Sequence, residues 1–161
     1  MEIFQAFPDL IFAMAIMTFM GKGVLNLFIA LGLLTWVRTA RMIRGSVMQL
    51  KEKEYIEASR ACGASTYWII MKGLVPNCLS TIIVLVTLGI PNAIMYEASL
   101  SFLGIGIQPP TPSWGNMISA AQTFISFRPV YSIMPGVAIM ITVIAFNILG
   151  DGLRDALDPK L

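Results

Sequence analysis

The chain has 161 residues, of which 57% are apolar and only 12% are charged, and its formal net charge is +2. A soluble domain usually carries about 25% charged residues, which cover its surface. The composition and a mean hydropathy of +0.77 therefore exclude an ordinary water-soluble globule and favour an integral membrane protein surrounded by lipid. Between Gly73 and Gly150 the only charged residues are Glu97 and Arg128.

Four apolar segments predict helices that cross the bilayer, at about residues 10–21, 24–44, 78–98 and 130–150. The first two are joined by the turn "GKG" at residues 21–23, which favours a helical hairpin. In such a hairpin the long side chain of Arg38 can extend to the membrane surface. The predicted fold class is all-α, a polytopic transmembrane helical bundle with short helices between two of the spans.

Basic residues predict the orientation, because Lys and Arg next to spanning segments are retained on the cytoplasmic side. With both ends of this sequence on one side, nine of the eleven basic residues share that side: Arg38, Arg41, Arg44, Lys51, Lys53, Arg60, Lys72, Arg154 and Lys160. Lys22 and Arg128 fall on the other side. We expect a multi-pass protein of the cell's inner (plasma) membrane, with both ends and residues 45–77 cytoplasmic. Residues 99–129 would be extracytoplasmic or re-entrant.

Residue types that carry covalent chemistry are scarce. The sequence contains no histidine and only two cysteines, Cys62 and Cys78, which argues against His-dependent nucleophiles and against a metal site. It has no glycine-rich phosphate loop ending in Lys and Ser or Thr. The basic residues follow the membrane boundaries and do not form a nucleic-acid surface. We expect no cofactor, no metal, no nucleic-acid partner and no enzymatic activity in this chain.

The stretch "KEKEYIEASRACGASTYWIIMKGLVPN", residues 51–77, is polar between two apolar segments. It predicts one short helix that ends at Gly63 and a second that begins at Ser65 and ends before Pro76. Glu57 and Arg60, beside Tyr67 and Trp68, would form a mixed polar and aromatic surface that fits a protein partner. The alternative is an amphipathic linker on lipid headgroups.

Two features farther along the chain have two interpretations each. Glu97 ends the third predicted span, where an ionisable group indicates a functional site, but it could instead cap "SLSF" or pair with Arg128. The segment "GIGIQPPTPSWGNM", residues 104–117, could form a gate or a partner contact, or could simply pack inside the protein. Near the end of the chain, Arg154 and Asp158 are spaced for a helical ion pair.

Several motifs together resemble a known family. "EASRACG", followed by "LVPN", is similar to the EAA loop of ABC importer permeases. "AFPDL", "RTARMIRG", "EYIEASRACGAS", "EASLSFLGIGIQPPTPSWGNM" and "FNILGDGLRDALDPKL" resemble, in this order, the second (C-type) permease subunit of dipeptide, oligopeptide and nickel importers. Members of that family have two further helices and an outward-facing segment upstream. The resemblance is therefore to the C-terminal portion of a six-helix permease.

The resemblance implies a division of labour between subunits. A second permease subunit would complete the translocation path, two cytoplasmic ATP-binding subunits would dock on the EAA loops and hydrolyse ATP, and an extracytoplasmic substrate-binding protein would deliver a peptide or nickel. It assigns coupling to the ATPase to five residues, Glu57, Ala58, Ser59, Gly63 and Pro76. Candidates for the gate or the path are Glu97, Pro109, Pro110 and Trp114.

Two positions depart from the family pattern. Ser59 stands where the family usually has the second Ala, a small-for-small change that preserves close helix approach. Gly73 stands where this subfamily commonly has His, and we expect the glycine to loosen the last turn of the second short helix.

Two other functions are compatible with the residues. A secondary transporter could use Glu97 as a proton carrier, and it would need neither an EAA loop nor an ATPase. A membrane scaffold without transport activity could use residues 45–77 only as an interaction module.

Overall fold

The structure is a computed structural model that describes residues 8–157, and this part of the chain contains helices and no strand. The prediction of an all-α helical bundle is confirmed. The helices are α1 (Asp9–Met20), α2 (Val24–Lys51), α3 (Glu54–Ala61), α4 (Thr66–Trp68), α5 (Val75–Phe102), α6 (Trp114–Ala121) and α7 (Val130–Leu157). A π-helical turn, Ile69–Leu74, joins α4 to α5 without a break. Asp158 and Lys160, named above, lie outside the described residues.

Within residues 8–157, three helices are long and apolar enough to cross a membrane: Val24–Lys51, Thr66–Phe102 and Val130–Leu157. The second of these, called here the long helix, comprises α4, the π-helical turn and α5. Each predicted span falls on one helix, but α2, the long helix and α7 extend well beyond the predicted limits. Helix α1 has 12 residues and is about 18 Å long, which is shorter than the hydrocarbon core of a bilayer.

Helices α1 and α2 form the predicted hairpin. Gly21 and Gly23 have φ of +85° and +149°, conformations that side chains with a Cβ rarely adopt. The Asn26 amide donates hydrogen bonds to the carbonyls of Met20 and Gly21, at 2.7 and 3.0 Å, and so satisfies acceptors at the end of α1. Arg38 does not extend freely to the membrane surface, because its guanidinium forms an ion pair with Asp9 at 2.9 Å.

The buried core lies where this hairpin meets the last turns of α5. The buried cluster there consists of Ala13, Met17, Leu27, Ala30 and Leu100. Ile105 and Ile107, which follow α5, pack against the same cluster. Helices α6 and α7 pack on each other and on α5, so α5 contacts most of the bundle.

The second short helix does not end before Pro76, and this part of the prediction is wrong. Pro76 lies in the first turn of α5, where the missing N–H is tolerated because a first-turn N–H has no α-helical partner. The π-helical turn supplies a wider bond just before it, from the Val75 N–H to the Ile70 carbonyl. The chain therefore runs from Thr66 to Phe102 as one helix.

Candidate functional site

The polar stretch forms a corner between α3 and the long helix, called here the α3–α4 corner (residues 54–68). Gly63 has φ of +77°. The Gly63 N–H donates to the Arg60 carbonyl at 2.9 Å and the Ala64 N–H to the Ser59 carbonyl at 3.0 Å, the bond pattern of a glycine-terminated helix. Ser65 caps the next helix by accepting from the Trp68 N–H at 3.3 Å. The predicted helix end at Gly63 and start at Ser65 are confirmed.

A small apolar core fixes the corner to the long helix. The Ile56 side chain is 1% exposed and packs against Ile69 and Leu74. A Cβ on Gly73 would lie 2.7 Å from Ile56 Cδ1, so a larger residue at this position would force the Ile56 side chain or the helix to shift. The glycine thus permits close packing of Ile56 against the π-helical turn.

Polar contacts add a second link at the same place. The carbonyl of Gly73 accepts hydrogen bonds from the Asn77 amide at 2.7 Å and from the Tyr55 hydroxyl at 3.3 Å. The Asn77 amide also donates to the Tyr55 hydroxyl at 3.3 Å. Sequence analysis did not single out Tyr55 or Asn77 for this contact. Helix α3 is therefore held to the base of α5 by packing and by hydrogen bonds.

The outer surface of the corner combines charge and aromatic area. Glu57, Ala58 and Arg60 are exposed on α3. Tyr67 and Trp68 follow on the next helix with 74% and 51% of their surface exposed. The Ser59 hydroxyl instead donates back to the Tyr55 carbonyl at 2.7 Å. Pro76 is exposed but lies beyond the corner, in the first turn of α5.

Glu97 lies near the opposite end of the long helix and supports the fold of the chain there. Its carboxylate accepts a hydrogen bond from the Ser101 hydroxyl at 2.7 Å, and the Ser101 oxygen accepts from the Ile107 N–H at 3.0 Å. Ser101 is 1% exposed. The Glu97 carboxylate therefore orients the Ser101 hydroxyl, whose oxygen holds the segment after α5, and Glu97 forms no ion pair with Arg128.

The segment 104–117 is part packed and part exposed. A Cβ on Gly115 would collide with the Ala98 carbonyl, so α6 lies directly against α5. Ser113 caps α6 by accepting from the Asn116 N–H at 3.1 Å. Pro109 and Pro110 are exposed at the tip of the segment, between α5 and α6, whereas Trp114 is half-buried. The candidate gate residues thus lie at one end of the long helix and the candidate coupling residues at the other.

A cavity of about 650 Å³ lies between α2, the beginning of α5 and the end of α7. Its polar and basic lining includes Ser46, Gln49, Lys53, Asn77 and Arg154. Sequence analysis missed this cavity, because its lining residues come from three separate stretches of the chain.

Residues 1–161, the whole sequence, match the family of binding-protein-dependent transport system inner membrane components. The chain belongs to this family. The glutathione transport system permease protein GsiD of Escherichia coli O1:K1 / APEC is 42% identical over 160 residues, which are 99% of this chain and 53% of GsiD. The proteins of the same name from Shigella flexneri serotype 5b (strain 8401) and Escherichia coli O157:H7 match to the same extent.

The chain spans about half the length of the curated relatives it matches. Family membership confirms the predicted resemblance to an ABC importer permease. Together with the three helices of membrane-spanning length, it identifies the chain as a multi-pass membrane protein.

Proposed function

We propose that this chain belongs to the permease subunit of an ATP-driven importer of small peptides, and that the α3–α4 corner couples it to the ATPase. The observation that carries the proposal is the exposed Glu57 on a corner that is fixed to the long helix. Its carboxylate has no hydrogen-bond or ion-pair partner among residues 8–157, so it is available to a cation on another protein.

The partners follow from the family's type of transport system. A second permease subunit would complete the path, two cytoplasmic ATP-binding subunits would dock on the corners, and an extracytoplasmic substrate-binding protein would deliver the substrate. The relatives named for glutathione, a small peptide, favour a peptide over a nickel chelate as the substrate class.

Coupling requires that movement at the corner reaches the spanning helices. Ile56 packs on the π-helical turn, and Tyr55 and Asn77 converge on the Gly73 carbonyl. Closure of the ATPase pair would displace the corner, and these contacts would carry the displacement into the long helix. The result would be a rigid-body switch between inward-open and outward-open states.

The orientation of the chain is part of the proposal. Arg60 lies on α3, and Lys51 and Lys53 lie just before α3, which supports a cytoplasmic position for residues 45–77. Both ends of this sequence would then lie in the cytoplasm, and the tip at Pro109 and Pro110 would lie on the extracytoplasmic side.

Charge reversal at Glu57 tests the coupling. In the assembled importer, Glu57→Lys should reduce the amount of ATPase subunit that co-purifies about tenfold or more, because a charge at the centre of an interface would be reversed. Glu52→Lys, an exposed position just after α2, is the matched control and should not reduce it. Equal retention of the ATPase by both variants would show that the corner is not the docking surface.

Glu97 gives little support to a secondary transporter. Its carboxylate accepts a hydrogen bond from the Ser101 hydroxyl, whose oxygen in turn accepts from the Ile107 N–H, and these bonds give Glu97 a structural role. A scaffold without transport activity has no specific observation in its favour.

A further inference from the structure

Three helices meet at a polar triad formed by Asp9, Arg38 and Tyr96. Asp9 Oδ2 accepts one hydrogen bond from Arg38 Nη2 and another from the Tyr96 hydroxyl, each at 2.9 Å. Asp9 begins α1, Arg38 belongs to α2, and Tyr96 belongs to α5. The triad therefore joins residues that are far apart in the sequence.

The triad lies at membrane depth. Helix α2 has 28 residues and is about 42 Å long, and Arg38 lies near its middle. The hydrocarbon core of a bilayer is about 30 Å thick, so any position of that core along α2 includes the middle of the helix. Tyr96 lies at a similar depth, because its hydroxyl bonds the same Asp9 oxygen as Arg38.

The charges of the triad are not covered by residues 8–157. The Arg38 side chain is 63% exposed and the Asp9 side chain is 34% exposed. Charged groups facing hydrocarbon are costly, and in membrane proteins they face protein or a water-filled cavity. This face of α1 and α2 therefore does not face lipid.

The geometry leaves part of Arg38 available. A guanidinium has five N–H donors, and Asp9 engages only the Nη2 nitrogen. Tyr96 holds the Asp9 oxygen in place, so the guanidinium is fixed, and its other edge forms no hydrogen bond with residues 8–157. That edge matches a carboxylate, with which arginine forms paired hydrogen bonds.

We propose that Arg38, positioned by Asp9 and Tyr96, binds the carboxylate of the substrate inside the translocation path. The inference rests on the proposed function, because it requires that the substrate is a small peptide. It adds a residue that selects for a free C-terminal carboxylate as the peptide passes.

The competing explanation is purely structural. In it, another part of the assembled importer covers the triad, and the ion pair only stabilises the packing of α1 on α2. The two explanations differ in what a charge swap does. A structural ion pair still forms when its two charges are exchanged. A site that binds a carboxylate no longer binds it when the arginine is replaced by an anion.

The test uses the assembled importer with its complete permease subunits in proteoliposomes, and measures uptake of a dipeptide and of its C-terminal amide. The preference for the free acid is compared between variants, so any selectivity of the substrate-binding protein cancels. Arg38→Gln should raise the KM for the acid about ten- to a hundredfold, because a charge-assisted hydrogen bond to the substrate is lost. The KM for the amide should change little.

Two further variants sharpen the result. Arg44→Gln removes an exposed cation from the same helix and should leave the preference unchanged. The double variant Asp9→Arg with Arg38→Asp should take up the acid no better than Arg38→Gln. Arg38→Lys should retain only part of the wild-type uptake, because lysine cannot form the paired hydrogen bonds of a guanidinium with a carboxylate.

Two results would overturn the inference in distinguishable ways. If Arg38→Gln lowers uptake of acid and amide equally and the charge swap restores both, the triad only joins the helices and does not bind substrate. If the wild-type importer takes up neither peptide with ATP, the proposed function itself fails and the carboxylate site fails with it.

Discussion

At the scale of single residues, two glycines at and beside the α3–α4 corner are required for different reasons. Gly63 has no neighbour within 4 Å of a Cβ but has a positive φ, whereas Gly73 lies against Ile56. The first could be predicted, because a glycine after a run of helix formers is the usual helix end. The second could not, because the contact depends on how α3 packs on a π-helical turn.

Gly63→Ala should destabilise the corner by about 1 kcal/mol, the cost of placing a Cβ in the left-handed region. Gly45→Ala is the control, because Gly45 lies inside α2 with open space around a Cβ. That change should be neutral or stabilising, since alanine favours helix. The measurement is the thermal unfolding of the two purified permease variants, and equal losses in both would contradict the account.

Gly73→Ala should cost about 1–3 kcal/mol, because its Cβ would force Ile56 or the helix to move. The second change Ile56→Ala, made in the same protein, should relieve part of that loss by removing the atom in contact. A double-mutant cycle on unfolding free energies measures this coupling. Strict additivity of the two changes would disprove the contact.

At the scale of elements, the long helix and the segment after it depart most from the prediction. Pro76 was expected to end a helix, because a proline cannot donate to the carbonyl one turn back. Its position in the first turn of α5 removes that penalty, and the sequence does not distinguish the two cases. The sequence does not predict helix α6 as a separate helix, only an extracytoplasmic or re-entrant segment that includes it. Its eight residues are too few to show the apolar periodicity of a helix.

Ser101 holds this segment, so Ser101→Ala should destabilise it. The change removes the bond to Glu97 and leaves the Ile107 N–H without its acceptor, at a cost of about 1–3 kcal/mol. Ser99→Ala is the control, since the Ser99 hydroxyl only donates to the Met95 carbonyl of its own helix. Hydrogen exchange at Ile107 should accelerate in the first variant only, and unchanged exchange would rule out this role of Ser101.

At the scale of the whole molecule, composition and apolar length predicted the helical bundle and the hairpin correctly. The polar triad was not predicted, because Arg38 was treated as a snorkelling side chain. A signal was present: in an antiparallel hairpin, residues at similar distances from the turn lie side by side. Asp9 lies 12 residues before Gly21 and Arg38 lies 15 residues after Gly23, an offset of less than one helical turn that the long Arg38 side chain can bridge.

Cys62 provides a test of the orientation. Its side chain is exposed at the α3–α4 corner, whereas Cys78 is buried at the base of α5. In right-side-out cells, a membrane-impermeant thiol reagent should label Cys62 only after permeabilisation, and Cys62→Ser should remove that signal. Labelling of Cys62 in intact cells would place the corner on the outside.

The most direct test of the central claim is the energy source of uptake. The complete importer carrying this chain is reconstituted in proteoliposomes, and uptake of labelled glutathione and of a dipeptide is measured with and without ATP. The account predicts uptake of at least one of them that requires ATP and the substrate-binding protein and persists without a proton gradient. Uptake driven by a proton gradient alone, and abolished by Glu97→Gln, would contradict it.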